Sequence, residues 1–205
     1  TTIPKIFVGD PKQSIYQFRG CINAFQYLPE ESLIIEFYST FRIGNPACDI
    51  IRKKFKNCWM ISKSKTETNF VNGIPSDEKY TYLFRSWKVL LTTASHIPNI
   101  WINDFDNKLR QIKKLHNVLS FAKFDKDEIN SFEDDLPKFL KSLSESELNN
   151  LIDNICVNLV PFKMSRIRLY TVHAYKGMED ENLRLAEDID NSDYTITLLV
   201  KNSVQ

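Results

Sequence analysis

The chain has 205 residues, with 27 Lys and Arg against 26 Asp and Glu, and a formal net charge of +1. A hydrophobic share of 42% and a charged share of 26% are typical of a soluble globular protein long enough to bury a core. The near-neutral charge excludes a simple polybasic nucleic-acid module, but it does not exclude local basic surfaces. No apolar run approaches the roughly 20 residues of a membrane span, so we expect no membrane partner.

Cysteine usage favours an intracellular protein, in the nucleus or the cytoplasm. Cys21, Cys48, Cys58 and Cys156 form no CxxC pair and have no His partner at zinc-like spacing, so we expect no metal site. An even count also allows two disulfides, but a chain this long does not need them, and reduced thiols are the simpler reading. The 21 Ile and 17 Asn against 6 Ala and 5 Gly are typical of an AT-rich genome.

Strand and helix patterns alternate over the first half of the chain. Asn45 and Pro46 are typical of a helix start, with Asn45 as the N-cap and Pro46 at the first position. Residues 62–79 are polar and predict an exposed connection. In chain order, the pattern predicts a buried strand at residues 3–8, a short helix at 21–28, a strand at 33–38, a helix at 45–56, strands at 80–84 and 97–102, and a helix from Ser86 between these two.

From residue 104 the pattern changes to long charged helices. Phe105, Leu109, Ile112 and Leu115 have helical spacing, and residues 148–155 repeat it. In chain order, the sequence then predicts a solvated acidic loop at residues 125–135, a strand at 166–172, a turn region at 173–179, a poor strand candidate at 183–187 and a closing segment at 194–201. Strands that alternate with helices predict an α/β fold interrupted by a helical insertion.

The first segment with chemical character, residues 9–20, follows the first predicted strand. A loop at the carboxyl edge of a parallel sheet is where ligands bind in open α/β folds. Gln13 carries an amide that both donates and accepts, which suits it to orient a water or to sense a terminal phosphate. Tyr16 and Phe18 alternate beside Arg19, as in a stacking platform for single-stranded bases. On spacing alone, ordinary core aromatics explain Tyr16 and Phe18 better.

Residues 9–19 fit GDxxQSIYxFR, the first eleven positions of the pattern GDxxQSIYxFRGA, at every fixed position, and Cys21 stands where the pattern has Ala. This segment resembles motif III of the UvrD/Rep-type superfamily 1 helicases, in which many relatives have Trp at the position of Phe18. The resemblance implies that Gln13 couples to the γ-phosphate of ATP. It also implies that Tyr16, Phe18 and Arg19 lie along the DNA strand.

Residues 39–42, Ser-Thr-Phe-Arg, follow the predicted strand at 33–38 and resemble motif IV of the same family. By this resemblance Phe41 stacks on the adenine, and Arg42 reaches across the domain cleft to the γ-phosphate. Arginine suits that role because its planar fork stays charged and clamps two oxygens at once. A Phe-Arg pair carries no signal alone, and its position shortly after motif III makes the match credible.

Residues 169–179, LYTVHAYKGME, resemble motif V, TxHxxKGLE. A turn from a strand into a helix suits phosphate contacts, because the helix start offers free N–H groups and a positive dipole. A lone His would more simply be a solvated or core imidazole. The resemblance implies two roles, DNA contact for Thr171 and His173, and nucleotide contact for Lys176, Gly177 and Glu179.

The order of the three motifs is most similar to the F-box DNA helicase branch of the family, although no F-box segment occurs here. The resemblance implies a RecA-like parallel sheet of the P-loop NTPase type with a helical insertion. It assigns residues 1–32 to the end of a first RecA-like domain, 33–103 and 161–205 to a second such domain, and 104–160 to the insertion.

The resemblance implies ATP-driven translocation on single-stranded DNA with 3′ to 5′ unwinding, and ATP with Mg²⁺ as the cofactor. The phosphate loop GxxxxGK[ST], the acidic magnesium motif and the arginine-bearing motif VI do not occur in this sequence. We expect the first two upstream of Thr1, which leaves the ATP site of this chain incomplete. Residues 194–201 are either an eroded motif VI or a closing strand. The alternative is a degenerate helicase fragment that binds DNA or a partner without hydrolysing ATP.

Overall fold

The computed structural model describes residues 3–10, 20, 22–55, 58–65, 67–68, 78–121 and 135–189. The chain divides into two compact units, one formed by Thr1–Phe70 with Asp193–Gln205 and the other by Val71–Ser192. The range 33–103, predicted as one part of a second RecA-like domain, has residues in both units. The domain boundaries drawn from the sequence stay predictions. Within the described ranges, no helix is long and apolar enough to cross a membrane.

The first unit holds a small parallel sheet and one α-helix among its described residues. Its elements are a 3₁₀ helix at Ala24–Tyr27, strand β1 Ser39–Thr40, helix α1 Asn45–Lys54 and strand β2 Ile61–Ser62. The N-cap of α1 is Gly44 and not the predicted Asn45, while Pro46 lies in the first turn as expected. Gly44 suits this place because a Cβ there would clash with the backbone of Thr68, whose hydroxyl accepts the Gly44 N–H at 3.1 Å.

The two strands predicted ahead of α1 are wrong. Residues 3–8 and 33–38 lie outside any strand, and apolar side chains in them face solvent, with Val8 and Phe37 both 89% exposed. A strand needs a neighbouring backbone, and β2 offers one over only two residues. The Ile61 N–H donates to the carbonyl of Tyr38 at 2.7 Å, so the ladder begins where the predicted strand ends.

The second unit is an α/β fold on a parallel sheet, as the strand and helix pattern predicts. Its strands are β3 Tyr80–Phe84, β4 Ile100–Ile102, β5 Ile167–Thr171 and β6 Leu183–Leu185, in the spatial order β4-β5-β3-β6. All three neighbouring pairs are parallel. The register sets Phe84 beside Thr171, at the carboxyl ends of the two central strands.

Helices cover one face of this sheet and close the hydrophobic core. They are α2 Trp87–Ala94, α3 Phe105–Phe121, α4 Asp135–Ser142 and α5 Glu145–Asn158, and a short helix α6, Val172–Tyr175, follows β5. Tyr80 and Phe84 alternate along β3 and join the cluster that contains Leu90 of α2, Ile112 of α3 and Ile155 of α5. The helical spacing recognised in residues 105–115 and 148–155 is confirmed, because its apolar face is the buried one.

The edge strand β6 corrects the sequence analysis, which treated residues 183–187 as a poor strand. Leu183–Leu185 pairs with β3. Backbone bonds flank the pairing, since the Thr81 N–H donates to Asn182 at 3.0 Å and the Ala186 N–H donates to Leu83 at 2.9 Å. The strand forms because the edge of β3 offers free backbone groups, and not because of its own weak pattern.

Candidate functional site

The motif V residues lie at the carboxyl edge of the sheet in the second unit. Strand β5 ends at Thr171, and α6 begins at the next residue. This is the edge at which open α/β folds bind their ligands. The residues beyond Val172 that carry motif V, namely His173, Lys176, Gly177 and Glu179, are all exposed. The structure therefore brings the motif V side chains to a surface where a ligand can reach them.

Thr171 has a structural role that the sequence did not predict. It is only 7% exposed, and its hydroxyl accepts the backbone N–H of Ala174 at 3.4 Å, which makes it the N-cap of α6. Its DNA contact stays a prediction. Because Thr171 is nearly covered and His173 is exposed, His173 offers the more accessible polar group at the start of α6.

A type II β-turn explains the Lys-Gly pair of motif V. Lys176 has φ −51° and ψ 124°, Gly177 has φ +89°, and the Met178 N–H donates to the carbonyl of Tyr175 at 3.0 Å. The third position of such a turn requires a positive φ, which glycine adopts without strain. A Cβ on Gly177 would meet nothing within 4 Å, so the space beside the turn is open.

Asp180 ties the loop after this turn to the sheet. The hydroxyl of Thr81 donates to its Oδ2, the hydroxyl of Tyr175 donates to the same oxygen at 3.4 Å, and the guanidinium of Arg168 lies 3.5 Å from its Oδ1. Burial and then the neighbouring Asp180 charge raise the pKa of Tyr175. Asp180 therefore anchors the end of the segment that carries Lys176.

Asp188 closes the start of helix α2 at the same edge of the sheet. Its carboxylate accepts the N–H groups of Arg85 at 3.2 Å and Ser86 at 2.9 Å, and the Ser86 hydroxyl donates to it at 3.1 Å. These two N–H groups belong to the N-cap residue Ser86 and to the residue before it, so Asp188 holds the turn from β3 into α2 and not the first turn of the helix itself. The sequence carried no signal for this contact, because an isolated Asp in a loop has no pattern.

Phe41 and Arg42 lie in the first unit, directly after β1. Phe41 is 68% exposed, although large aromatic side chains are usually covered. Arg42 is also exposed, and its backbone N–H donates to the hydroxyl of Thr40 at 3.4 Å. Both side chains are therefore accessible to a ligand at the end of this strand.

Most of motif III, residues 11–19, lies outside the described part of the chain. The predicted roles of Gln13, Tyr16, Phe18 and Arg19 therefore stay predictions. The same holds for the acidic loop from residue 125 and for the closing segment at 194–201. The first residue of the motif, Gly9, is described. A Cβ on Gly9 would clash with the ring of Phe25.

No family model matches this chain, and neither the curated proteins nor the solved structures include a significant match to it. Over the ranges that the structure describes, no group of three or more His, Cys, Asp or Glu side chains is placed to hold a metal ion. Function is therefore inferred from the chain's own residues and their positions.

Proposed function

We propose that this chain is part of an ATP-dependent helicase or translocase that acts on single-stranded DNA, with 3′ to 5′ polarity. The observation that carries the proposal is the run of residues 9–19, which fits GDxxQSIYxFR at every fixed position. Two further matches, at residues 39–42 and 169–179, follow in the family's order. The match at residues 9–19 is specific by itself, the Phe-Arg pair of residues 39–42 is weak alone, and the three matches in the right order strengthen one another.

The proposal includes a RecA-like fold of the P-loop NTPase type for the α/β part of the chain. It is supported by the parallel sheet of the second unit and by the place of motif V at the carboxyl end of the central strand β5. Nucleotides bind at that edge in open α/β sheets. The three helices α3, α4 and α5 lie between β4 and β5 along the chain, where the proposal has its helical insertion.

The proposed nucleotide contacts use exposed cations and one exposed ring. Gln13 and Arg42 act at the γ-phosphate, Phe41 stacks on the adenine, and Lys176, Gly177 and Glu179 border the nucleotide. These groups suit a phosphate-bearing ligand, because Arg42 and Lys176 are exposed cations and the turn at Gly177 leaves open space. When bound, ATP with Mg²⁺ supplies the free energy for translocation.

The proposed DNA contacts are stacking and backbone contacts along one strand. Tyr16 and Phe18 stack on bases beside the Arg19 cation, and aromatic stacking is tolerant of sequence because every base has a π-face. Thr171 and His173 approach the same strand from motif V. Of these two, exposed His173 supplies the direct contact, while Thr171 holds the start of α6 that carries it.

Fluorescence anisotropy with a labelled oligothymidine tests this proposal. We expect Phe18→Ala to weaken single-strand binding by about 1–3 kcal/mol, the usual loss for one stacked base. Phe37→Ala is the matched control, because Phe37 is an exposed phenylalanine of the same unit outside every motif. Equal affinities for the two variants, with circular dichroism showing both folded, would indicate that Phe18 is an ordinary core aromatic and does not stack on a base.

A second candidate is a fragment that binds DNA or a partner without hydrolysing ATP, and the absence of GxxxxGK[ST] from this sequence favours it. For purified residues 1–205 we expect phosphate release at background with or without DNA, because an arginine accelerates hydrolysis only at a nucleotide that is already positioned. DNA-stimulated release that is lost in Arg42→Ala and kept in Lys53→Ala would contradict this. The coding DNA upstream of Thr1 separates the candidates, since a GxxxxGK[ST] loop followed by an acidic motif supports the helicase.

A further inference from the structure

Helices α3 and α4 border an open groove with a volume of about 310 Å³, here called the α3–α4 groove. Its floor is apolar and consists of Ile112, Leu115, Val118 and Leu136. Its rim carries Lys108 and Lys114, and none of the lining residues in the described part of the chain is acidic. The groove lies wholly within the second unit and uses no residue of the three motifs.

The floor of the groove follows one stripe of helix α3. Leu115 and Val118 are three residues apart and therefore neighbours on the helix surface. Val118 is 49% exposed, while the floor residues Ile112 and Leu136 are buried and belong to the hydrophobic core. Single exposed apolar residues are ordinary on protein surfaces. Here they continue a buried apolar stripe into solvent, as in proteins that receive the apolar face of a helix.

The rim of the groove is positively charged. Of the four basic residues of helix α3, Lys108 and Lys114 line the groove, while Arg110 and Lys113 lie outside it. Lys108 lies with its Nζ 4.9 Å from the centre of the Trp87 ring, a cation–π contact that holds the ammonium on the α2 side of the rim. Lys114 also lines the groove and is exposed.

We propose that the α3–α4 groove docks an acidic amphipathic helix of a partner protein. The apolar face of such a helix fills the floor, and its carboxylates meet Lys108 and Lys114 across the rim. A nucleic-acid strand would satisfy the lysines but not the floor, because bases stack on aromatic rings and this floor is aliphatic. The proposal does not rest on the proposed helicase function.

The test uses the whole chain and two fluorescein-labelled helical peptides with the same leucine stripe, one with glutamates and one with lysines on its polar face. We expect saturable anisotropy with the acidic peptide and none with the lysine peptide. Lys114→Glu should weaken binding of the acidic peptide roughly five- to tenfold, because it replaces an attraction by a repulsion at a partly exposed rim. Val118→Glu should weaken it at least as much. Added salt should weaken the binding of the unsubstituted chain.

Lys113→Glu is the matched control, because Lys113 is exposed and lies outside the groove on the same helix. Equal binding of both peptides, or an equal loss from Lys113→Glu, would overturn the proposal.

Competition by oligothymidine that depends on Lys114 would identify a nucleic-acid surface instead. Residues 122–134 of this chain include five acidic residues and two lysines. If a peptide of these residues binds more tightly than the acidic helix, the occupant of the groove is this segment of the chain and not a partner protein, which contradicts the proposal. Lys114→Glu changes only an exposed side chain, so it keeps the test decisive if Val118→Glu fails to fold.

Discussion

The carboxylate of Asp188 accepts a hydrogen bond of 2.9 Å from the backbone N–H of Ser86, 102 residues earlier in the chain. Ser86 is itself the N-cap of α2, and its hydroxyl accepts the N–H of Val89 at 3.3 Å. One carboxylate thus completes the start of α2 and connects the segment after the edge strand β6 to the end of the central strand β3.

Asp188→Ala should lower the free energy of unfolding by about 1–2 kcal/mol, because it leaves two backbone N–H groups at a helix start without their carboxylate. Urea denaturation followed by circular dichroism measures the change. Glu187→Ala, at the exposed neighbouring position, should change stability by less than about 0.5 kcal/mol. Similar losses from the two substitutions would show that the Asp188 contact does not stabilise the start of α2.

Gly177→Ala should cost about 1–2 kcal/mol of stability, because the turn holds this residue at φ +89° and a Cβ is strained there. Gly177→Asn should cost less, since asparagine tolerates the left-handed region better than alanine. Thermal or urea unfolding of both variants gives the comparison. An alanine variant as stable as the unsubstituted chain would exclude the type II turn at Tyr175 to Met178.

The chain should lose stability as the pH rises above the ordinary tyrosine pKa of 10.0. Burial raises the pKa of Tyr82, Tyr170 and Tyr175, and the Asp180 charge adds to it for the last two. Above pH 10 the unfolded chain therefore releases these protons first and binds fewer than the folded chain, so the free energy of unfolding falls with pH.

Tyr175→Phe tests this alkaline prediction, because phenylalanine keeps the ring and removes the titrating hydroxyl. Urea unfolding of this variant at several pH values above 10 should give a shallower decline of stability. Tyr27→Phe is the control, since Tyr27 is an exposed tyrosine, and it should leave the slope unchanged. A slope that is the same in all three proteins would contradict a role for Tyr175.

Ser144→Ala should destabilise helix α5 by about 1 kcal/mol, the usual cost of losing an N-cap hydroxyl. Ser144 and Glu147 form a capping box, in which the Ser144 hydroxyl accepts the Glu147 N–H at 3.2 Å and the Glu147 carboxylate accepts the Ser144 N–H at 2.8 Å. Ser146→Ala, two residues further along and also exposed, is the control. Urea unfolding should separate the two variants, and coincident curves would argue against the cap.

Sequence reasoning succeeded where a pattern is complete within a few residues. It predicted β3, β5 and the start of α2 at Ser86, and it recognised the buried faces of α3 and α5. It failed at residues 3–8 and 33–38, where apolar, β-rich composition was taken for buried strands. Within the described residues neither segment belongs to a strand, and the ladder with β2 only begins at the carbonyl of Tyr38. It missed β6 for the opposite reason, because that strand depends on the free edge of β3 and not on its own residues.

The candidate site divides in the same way. The sequence by itself determined which motif V side chains are present and that they follow a strand, since order along the chain is a local property. Only the tertiary structure decided that Thr171 is a buried N-cap and that Asp180 contacts both Thr81 and Arg168. It also decided that the carboxylate of Asp188 accepts the N–H of Ser86, the N-cap of α2. The Thr171 cap is a local contact, but Asp180 and Thr81 are 99 residues apart in the chain, and Asp188 and Ser86 are 102 apart. The free energy of these two long-range contacts depends on closing long loops around a folded sheet, which no local pattern records.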